Sequence, residues 1–231
     1  MEYRYEMHQH TAPCSHCGRA DPAELITEMK AQGFSGCVIT DHFYHGNSGI
    51  DRALPWKDFC APYEKNFLLA KEAGDRLDFD VLFGLEEGVG EGKEVLIYGI
   101  DCDFMYAHPE LRRAGLREIY ELAHAAGAVV IQAHPFRSRD YIDDPDKPID
   151  RKYLDGYEIF NSCNIEEDNE KAKIFLSDET AILTAGSDSH HALFENRSCI
   201  ICSHRIRTGK ELADTLRSGD YCLSCSDGTI L

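Results

Sequence analysis

His8-Gln9-His10 is the stretch whose residue types and spacing most plainly allow chemistry. On a strand, residues i and i+2 share a face, so both imidazoles can close on one ion. The run from Glu2 to Met7 alternates polar with aromatic or apolar residues and predicts a strand that ends at His10. Alone, the pair reads as two ordinary histidines of a core or surface. The arrangement repeats, however. His42, Glu86, Asp101, His134, Asp188 and His190 each follow a short apolar run. Imidazoles mixed with carboxylates suit zinc, manganese or iron, whereas an all-oxygen set would suit magnesium or calcium.

The elements that must position these residues follow from the same text. Asp21-Pro22 opens a helix that Gly33 stops, with Leu25, Ile26 and Met29 as its apolar face. Further helices are predicted over 63–73, 109–126, 166–176 and 209–217. Short strands are predicted from Ser35 to Thr40, before Asp41-His42, and from Asp80 to Phe83, before Gly84-Leu85-Glu86. Others run from Val95 to Ile100, from Ala128 to Ala133, from Tyr157 to Phe160, from Ala181 to Thr184 and from Ser198 to Ser203. Strands alternating with helices imply a mostly parallel sheet. Candidate ligands at nearly every strand end meet more easily in a closed ring than on an open sheet. The expectation is therefore one domain over residues 1–231, a distorted parallel (β/α)7 barrel with its active face at the carboxyl ends of the strands.

Composition agrees with a globular α/β chain: 231 residues, 43% hydrophobic and 28% charged. No apolar run reaches membrane length, and the acidic, aromatic N-terminus does not read as a secretion signal, so the expected compartment is the cytoplasm. A net charge of −17 argues against a long nucleic acid as partner. It leaves room for a small anionic substrate, because bound metal ions can make a site locally positive. Ten cysteines without a signal peptide read as reduced thiols. Nothing in the sequence bears on oligomeric state.

His8-x-His10, Thr40-Asp41-His42, Gly84-x-Glu86, Ala133-His134-Pro135 and Gly186-Ser187-Asp188-Ser189-His190, taken together and in this order, resemble the polymerase and histidinol phosphatase (PHP) superfamily. The resemblance runs from about residue 5 to about residue 195. It implies a distorted β/α barrel that binds two or three divalent transition-metal ions, zinc, manganese or iron, and hydrolyses phosphate esters. Carried over by position, His8, His10, Glu86 and Asp188 would hold one ion. Glu86 would bridge to a second, held also by His134. His42, His190 and His16 of the first loop would hold a third. Many members carry a histidine in the fourth strand, where this chain has Gly99-Ile100-Asp101. Asp101 is expected to take that histidine's place; the plainer reading is an aspartate that caps a loop. Asp41 is expected to orient a neighbouring ligand.

Such a centre would activate a water and steady the charge on phosphate. Asp188 or His190 could pass a proton to the leaving group, and Arg137 and Arg197 could clamp phosphate with their planar forks. The plainer reading of either arginine is a solvated surface residue. His45, His191 and Asn161 are weaker candidates for substrate contact. No Gly-x-Ser-x-Gly elbow is present. Cys199-x-x-Cys202 with Cys222-x-x-Cys225 has the spacing of a structural zinc site, but residues three apart on a strand face opposite sides. Cys14 and Cys17 offer a further thiolate pair, although His16 between them fits the main cluster better. The expected function is a metal-dependent phosphoesterase acting on a small phosphorylated metabolite or nucleotide. The rivals are a histidinol-phosphate phosphatase, a nuclease of short oligonucleotides, and a metal-binding module without turnover.

Overall fold

The computed structural model describes residues 2–176 and 181–231. Its strands are β1 (Tyr3–Gln9), β2 (Gly36–Ile39), β3 (Asp80–Gly90), β4 (Lys93–Tyr98), β5 (Val129–Gln132), β6 (Gly156–Asn161), β7 (Ile182–Gly186), β8 (Cys199–Cys202) and β9 (Tyr221–Ser224). Its α-helices are α1 (Pro22–Ala31), α2 (Trp56–Leu77), α3 (Cys102–Ala107), α4 (Leu116–Ala125), α5 (Glu166–Leu176) and α6 (Gly209–Ser218).

Local chemistry accounts for most boundaries. Asp21 caps α1 by accepting from the backbone of Ala23 and Glu24, with Pro22 in the first turn. α2 runs past both ends of the helix expected over 63–73 and through Gly74. That glycine serves packing: a Cβ there would lie 2.6 Å from the carbonyl oxygen of Phe79. The single helix expected over 109–126 is broken. Pro109–Arg112 form a tight 3-10 turn, and Gly115 caps α4, its N–H donating to Glu118.

Among the described residues the strands form one nine-stranded sheet, in the order β7-β6-β5-β4-β3-β2-β1-β8-β9. β1, β2 and β3 are mutually parallel, as are β5, β6 and β7. The β7 edge curls back onto β1: Asp188 N donates to His8 O at 2.8 Å, and His10 N donates to Ser189 O at 3.1 Å. The result is a mixed α/β fold around a nearly closed, barrel-shaped sheet. β8 and β9 extend it antiparallel from the start of β1. The middle strands are continuous apolar runs; Val95, Leu96 and Ile97 of β4 and Val129, Val130 and Ile131 of β5 are at most 1% exposed. No helix among the described residues is long and apolar enough to cross a membrane.

The sheet is not all parallel. β4 runs against both β3 and β5. Glu91 (φ 55°) and Gly92 (φ 72°) form a two-residue turn between the paired Gly90 and Lys93. Two successive left-handed residues are what a type I′ hairpin requires, and its twist matches that of the flanking strands. A parallel return would have needed a crossover of a dozen or more residues. The reversal brings the beginning of β4, rather than its end, to the mouth of the barrel.

Candidate metal centre

His8 and His10 point from the end of β1 into the barrel, and Glu86 meets them from within β3. All three are fully buried. Asp188 enters from the turn after β7: its Oδ1 lies 3.0 Å from His10 Nε2 and 3.5 Å from His8 Nε2. Glu86 Oε1 lies 3.1 Å from His8 Nε2 and 3.2 Å from His134 Nε2. Its other oxygen lies 2.7 Å from His42 Nδ1. The rings of His42 and His190 flank His10, each with its centroid 4.4 Å away. His134 (φ 31°) and Asp188 (φ 54°) hold left-handed backbone that residues with a side chain rarely adopt. Such strain is retained where surrounding structure dictates it, commonly at functional sites.

The outward nitrogens of these rings fix their tautomers. His8 Nδ1 donates to Glu158 Oε1 at 3.0 Å. His10 Nδ1 donates to Ser15 Oγ at 2.9 Å, and that hydroxyl donates to Asp41 Oδ1 at 2.7 Å. His190 Nδ1 donates to the carbonyl of Asp188 at 2.8 Å. Without a cation the surrounding carboxylates favour the protonated rings of His8 and His42; with one bound, the rings are neutral and each Nε2 of His8, His10 and His190 presents a lone pair. His8 Nε2 and His10 Nε2 stand 3.1 Å apart, among the carboxylate oxygens of Glu86 and Asp188. Acceptors converge on one buried point, an arrangement that a cation satisfies. Burial opposes charge on Asp188, but Arg137 and His8 hold it well below the usual carboxylate range. Burial likewise opposes charge on Glu86, and His8 and His42 overcome it. Burial and then the charge on His42 push His10 down to about 3.

The donor set fits metal ions. Ligand atoms lie within 4.8 Å of one another in three groups: His8, His10 and Asp188; His10, His42 and His190; and His42, Glu86 and Glu94. Two of these atoms, the buried His42 Nδ1 and Glu86 Oε2, lie 2.7 Å apart, and His42 Nδ1 is also 3.1 Å from Glu94 Oε1, but neither contact has the alignment of a hydrogen bond. Buried polar atoms are almost always satisfied, and close imidazole–carboxylate contacts without hydrogen-bond alignment suit shared coordination of a cation. Above the cluster opens a cavity of about 500 Å³, walled by Glu94, Arg137, Tyr141, Asp188, His190 and Lys93. Arg137 reaches into it. Its guanidinium donates to Asn161 Oδ1 at 3.0 Å and Asn164 Oδ1 at 2.8 Å, and pairs with Asp188 Oδ2 at 2.5 Å.

No family model matches the chain. No curated protein matches it either. Solved structures do. One is a two-domain protein from Bacteroides vulgatus containing a predicted PHP-like metal-dependent phosphoesterase, with a TM-score of 0.67 at 15% identity. The match covers 96% of this chain and 64% of that one, so the chain spans under two thirds of its length. PsfC from Pseudomonas syringae matches with a TM-score of 0.62 at 15% identity, over 92% of this chain and 88% of that one. An amidohydrolase from Chromobacterium violaceum, holding sulfate and no metal, matches with a TM-score of 0.57 at 15% identity, over 81% of this chain and 87% of that one. The fold is PHP-like.

The PHP-like barrel gathers His8, His10, His42, Glu86, His134, Asp188 and His190 at its mouth, with Arg137 beside them. It leaves three expected residues elsewhere. Asp101 is exposed and caps α3, accepting from Phe104 N at 3.0 Å, because the reversed β4 carries its carboxyl end away from the mouth. Glu94, at the strand's other end, sits by the cluster instead, its oxygens 3.1 Å from His42 Nδ1 and 3.6 Å from His134 Nε2. His16 is exposed; its N–H donates to Asn47 O, turning the ring outward, while the next residue, Cys17, lines the cavity. Arg197 is buried behind β1, donating to Gln9 Oε1 at 2.6 Å and to the carbonyls of His191 and Ala192. It does not line the cavity.

Sequence reasoning missed Glu94 and Glu158, and read Cys17 only as half of a separate thiolate pair with Cys14. The two-residue Glu91-Gly92 turn was the available signal for the first, since it leaves no length for a parallel crossover. Nothing local assigns a role to Glu158, which lies between the buried Tyr157 and Ile159 of β6. Asn161 contributes from beneath, holding Arg137, and His45 is tied to Glu87 at 3.2 Å. Cys199 and Cys202 sit across from Ser224 and Tyr221, so the four tail thiols do not face one another in pairs. None of those four joins a metal-ligating group among the described residues.

Proposed function

We propose that this protein is a metal-dependent phosphoesterase that hydrolyses phosphate monoesters of a small metabolite or nucleotide at a centre of two or three divalent ions. The observation that carries this reading is the meeting of buried imidazoles and carboxylates, in three groups of converging ligand atoms, directly beneath a cavity that also receives Arg137. His8, His10, Glu86 and Asp188 would hold one ion. Glu86, Glu94 and His134 would hold a second, and His10, His42 and His190 would hold a third. When bound, zinc, manganese or iron lowers the pKa of a water toward about 7 and draws charge from phosphoryl oxygens.

The chain's own groups supply the rest. Asn161 and Asn164 hold the Arg137 guanidinium in place before substrate arrives, and its remaining N–H groups can meet a phosphate oxygen at the cavity wall. His190 is the least buried histidine of the cluster, and its Nδ1 is fixed on a carbonyl. As an imidazolium, and only while its Nε2 holds no ion, His190 could hand a proton to the leaving oxygen, with Asp188 shaping the field around it. Support for an oxyanion substrate also comes from the Chromobacterium violaceum amidohydrolase, whose structure holds sulfate, a tetrahedral dianion like phosphate. The net charge of −17 disfavours a long polyanion and favours a small substrate.

The test is phosphate release from a generic aryl phosphate with added Mn²⁺, followed by a screen over sugar phosphates, nucleotides and histidinol phosphate. Activity lost on chelation and in Asp188→Asn supports the reading. Protein that carries its ions yet hydrolyses none of these esters refutes it.

A further inference from the structure

Glu158, on β6, is 1% exposed and does not line the cavity. Its two oxygens have different partners. Oε1 accepts from His8 Nδ1 at 3.0 Å. Oε2 accepts two N–H groups, from the backbone of His134 at 2.9 Å and from Asn161 Nδ2 at 2.9 Å. Asn161 in turn accepts from Arg137 at 3.0 Å through its Oδ1. One carboxylate thus touches one candidate ligand by its ring, a second by its backbone, and the phosphate-binding arginine through a single amide. Space is reserved for the contact. A Cβ on Gly186 would come within 2.6 Å of both Glu158 Oε1 and His8 Cβ.

We propose that Glu158 is a positioning residue whose carboxylate keeps the His8 proton on Nδ1 and so turns the Nε2 lone pair toward the metal centre. The proposal rests on the metal-centre reading above but not on phosphate as the substrate. The hydrogen-bond pattern makes the carboxylate irreplaceable by its own amide. In Glu158→Gln, two converging N–H donors claim the amide oxygen for the Oε2 position. The amide NH₂ then falls at the Oε1 position and donates to His8 Nδ1. His8 must accept there, its proton moves to Nε2, and the ligand lone pair is lost. A side chain that only filled space would tolerate glutamine, which has nearly the same volume and shape. Outer partners of metal-bound histidines typically change metal affinity about 10- to 100-fold when altered.

The experiment pairs long-range ¹H–¹⁵N NMR of the histidine rings with zinc affinity measured by chelator competition. Zinc-loaded wild-type protein is expected to carry the His8 proton on Nδ1. Glu158→Gln is expected to bind zinc about 10- to 100-fold more weakly and, free of zinc, to carry that proton on Nε2. A folded Glu158→Gln with wild-type zinc affinity and the proton still on Nδ1 overturns the proposal. If the variant does not fold, the wild-type spectrum decides, because a His8 proton on Nε2 in zinc-loaded protein also overturns it. Wild-type protein that binds no zinc overturns both this proposal and the metal-centre reading. A zinc-loaded His8 with its proton on Nδ1, in protein that hydrolyses no phosphate ester, upholds the proposal and overturns only the phosphoesterase reading.

Discussion

Oε1 of Glu94, at the start of β4, lies 3.1 Å from Nδ1 of His42, which follows β2. The two meet because the Glu91-Gly92 hairpin sends β4 back through the barrel against its neighbours. The same reversal places Asp101 at the other rim, beside Gly99, Ala126 and Thr208.

Exchanging the two carboxylates should separate their tasks. Glu94→Gln is expected to lose one bound ion per chain while remaining folded. Asp101→Ala is expected to keep its full metal complement and to lose about 0.5–2 kcal/mol of stability, the usual effect of removing a helix N-cap. Elemental analysis and thermal unfolding read both. Loss of an ion in Asp101→Ala and not in Glu94→Gln would reverse the assignment.

Wild-type protein purified without chelator should carry at least two transition-metal ions per chain, given three groups of converging ligand atoms. Ions that bind only the native state stabilise it by mass action, so stripping them should lower the melting temperature, and adding Mn²⁺ or Zn²⁺ should restore it. Fully folded protein with one ion or none, insensitive to chelation, would count heavily against the centre.

The two arginines should behave differently. Arg137→Ala is expected to weaken inhibition by free phosphate and raise KM without metal loss, because it removes the fork from the cavity wall. Arg197→Ala should leave phosphate inhibition unchanged in whatever fraction folds. It should instead destabilise the protein by about 3–5 kcal/mol, since it removes the counter-charge 3.7 Å from the buried Glu6 carboxylate and leaves Gln9 Oε1 unpaired. Phosphate inhibition that falls equally in both variants would contradict this division.

Cys17 should be an unusually reactive thiol in metal-free protein. Burial pushes its pKa up, but hydrogen bonds to His190 and His42 outweigh burial and bring it down to about 6. A depressed pKa leaves the thiolate dominant at neutral pH. Its alkylation by iodoacetamide should therefore rise through pH of about 6 and level off, whereas an ordinary thiol rises near about 8.5. Peptide-resolved labelling across that range checks it; a midpoint no lower than that of the exposed Cys222 would refute the contact.

Residue order alone determined the ligand-bearing strand ends and the class of the fold. Strand periodicity placed His8 and His10 on one face, and apolar runs of strand length put His42, His134 and Asp188 just past them. These are local properties, legible because each strand must bury its own side chains. The direction of β4 was also local, written in a two-residue turn. Its consequence was not local, because a reversed strand exchanges which of its ends faces the ligands, moving Glu94 in and Asp101 out. Which way the first loop turns His16 and Cys17 depended on a hydrogen bond to Asn47, thirty-one positions away in the chain. Arg197 and Glu158 were beyond the sequence for a like reason. A charged side chain in a buried position takes its role from the partner that compensates it. For Arg197 that partner is Gln9 and the neighbouring carbonyls, and for Glu158 it is His8, 150 residues earlier in the chain. Only closure of the sheet brings such groups together.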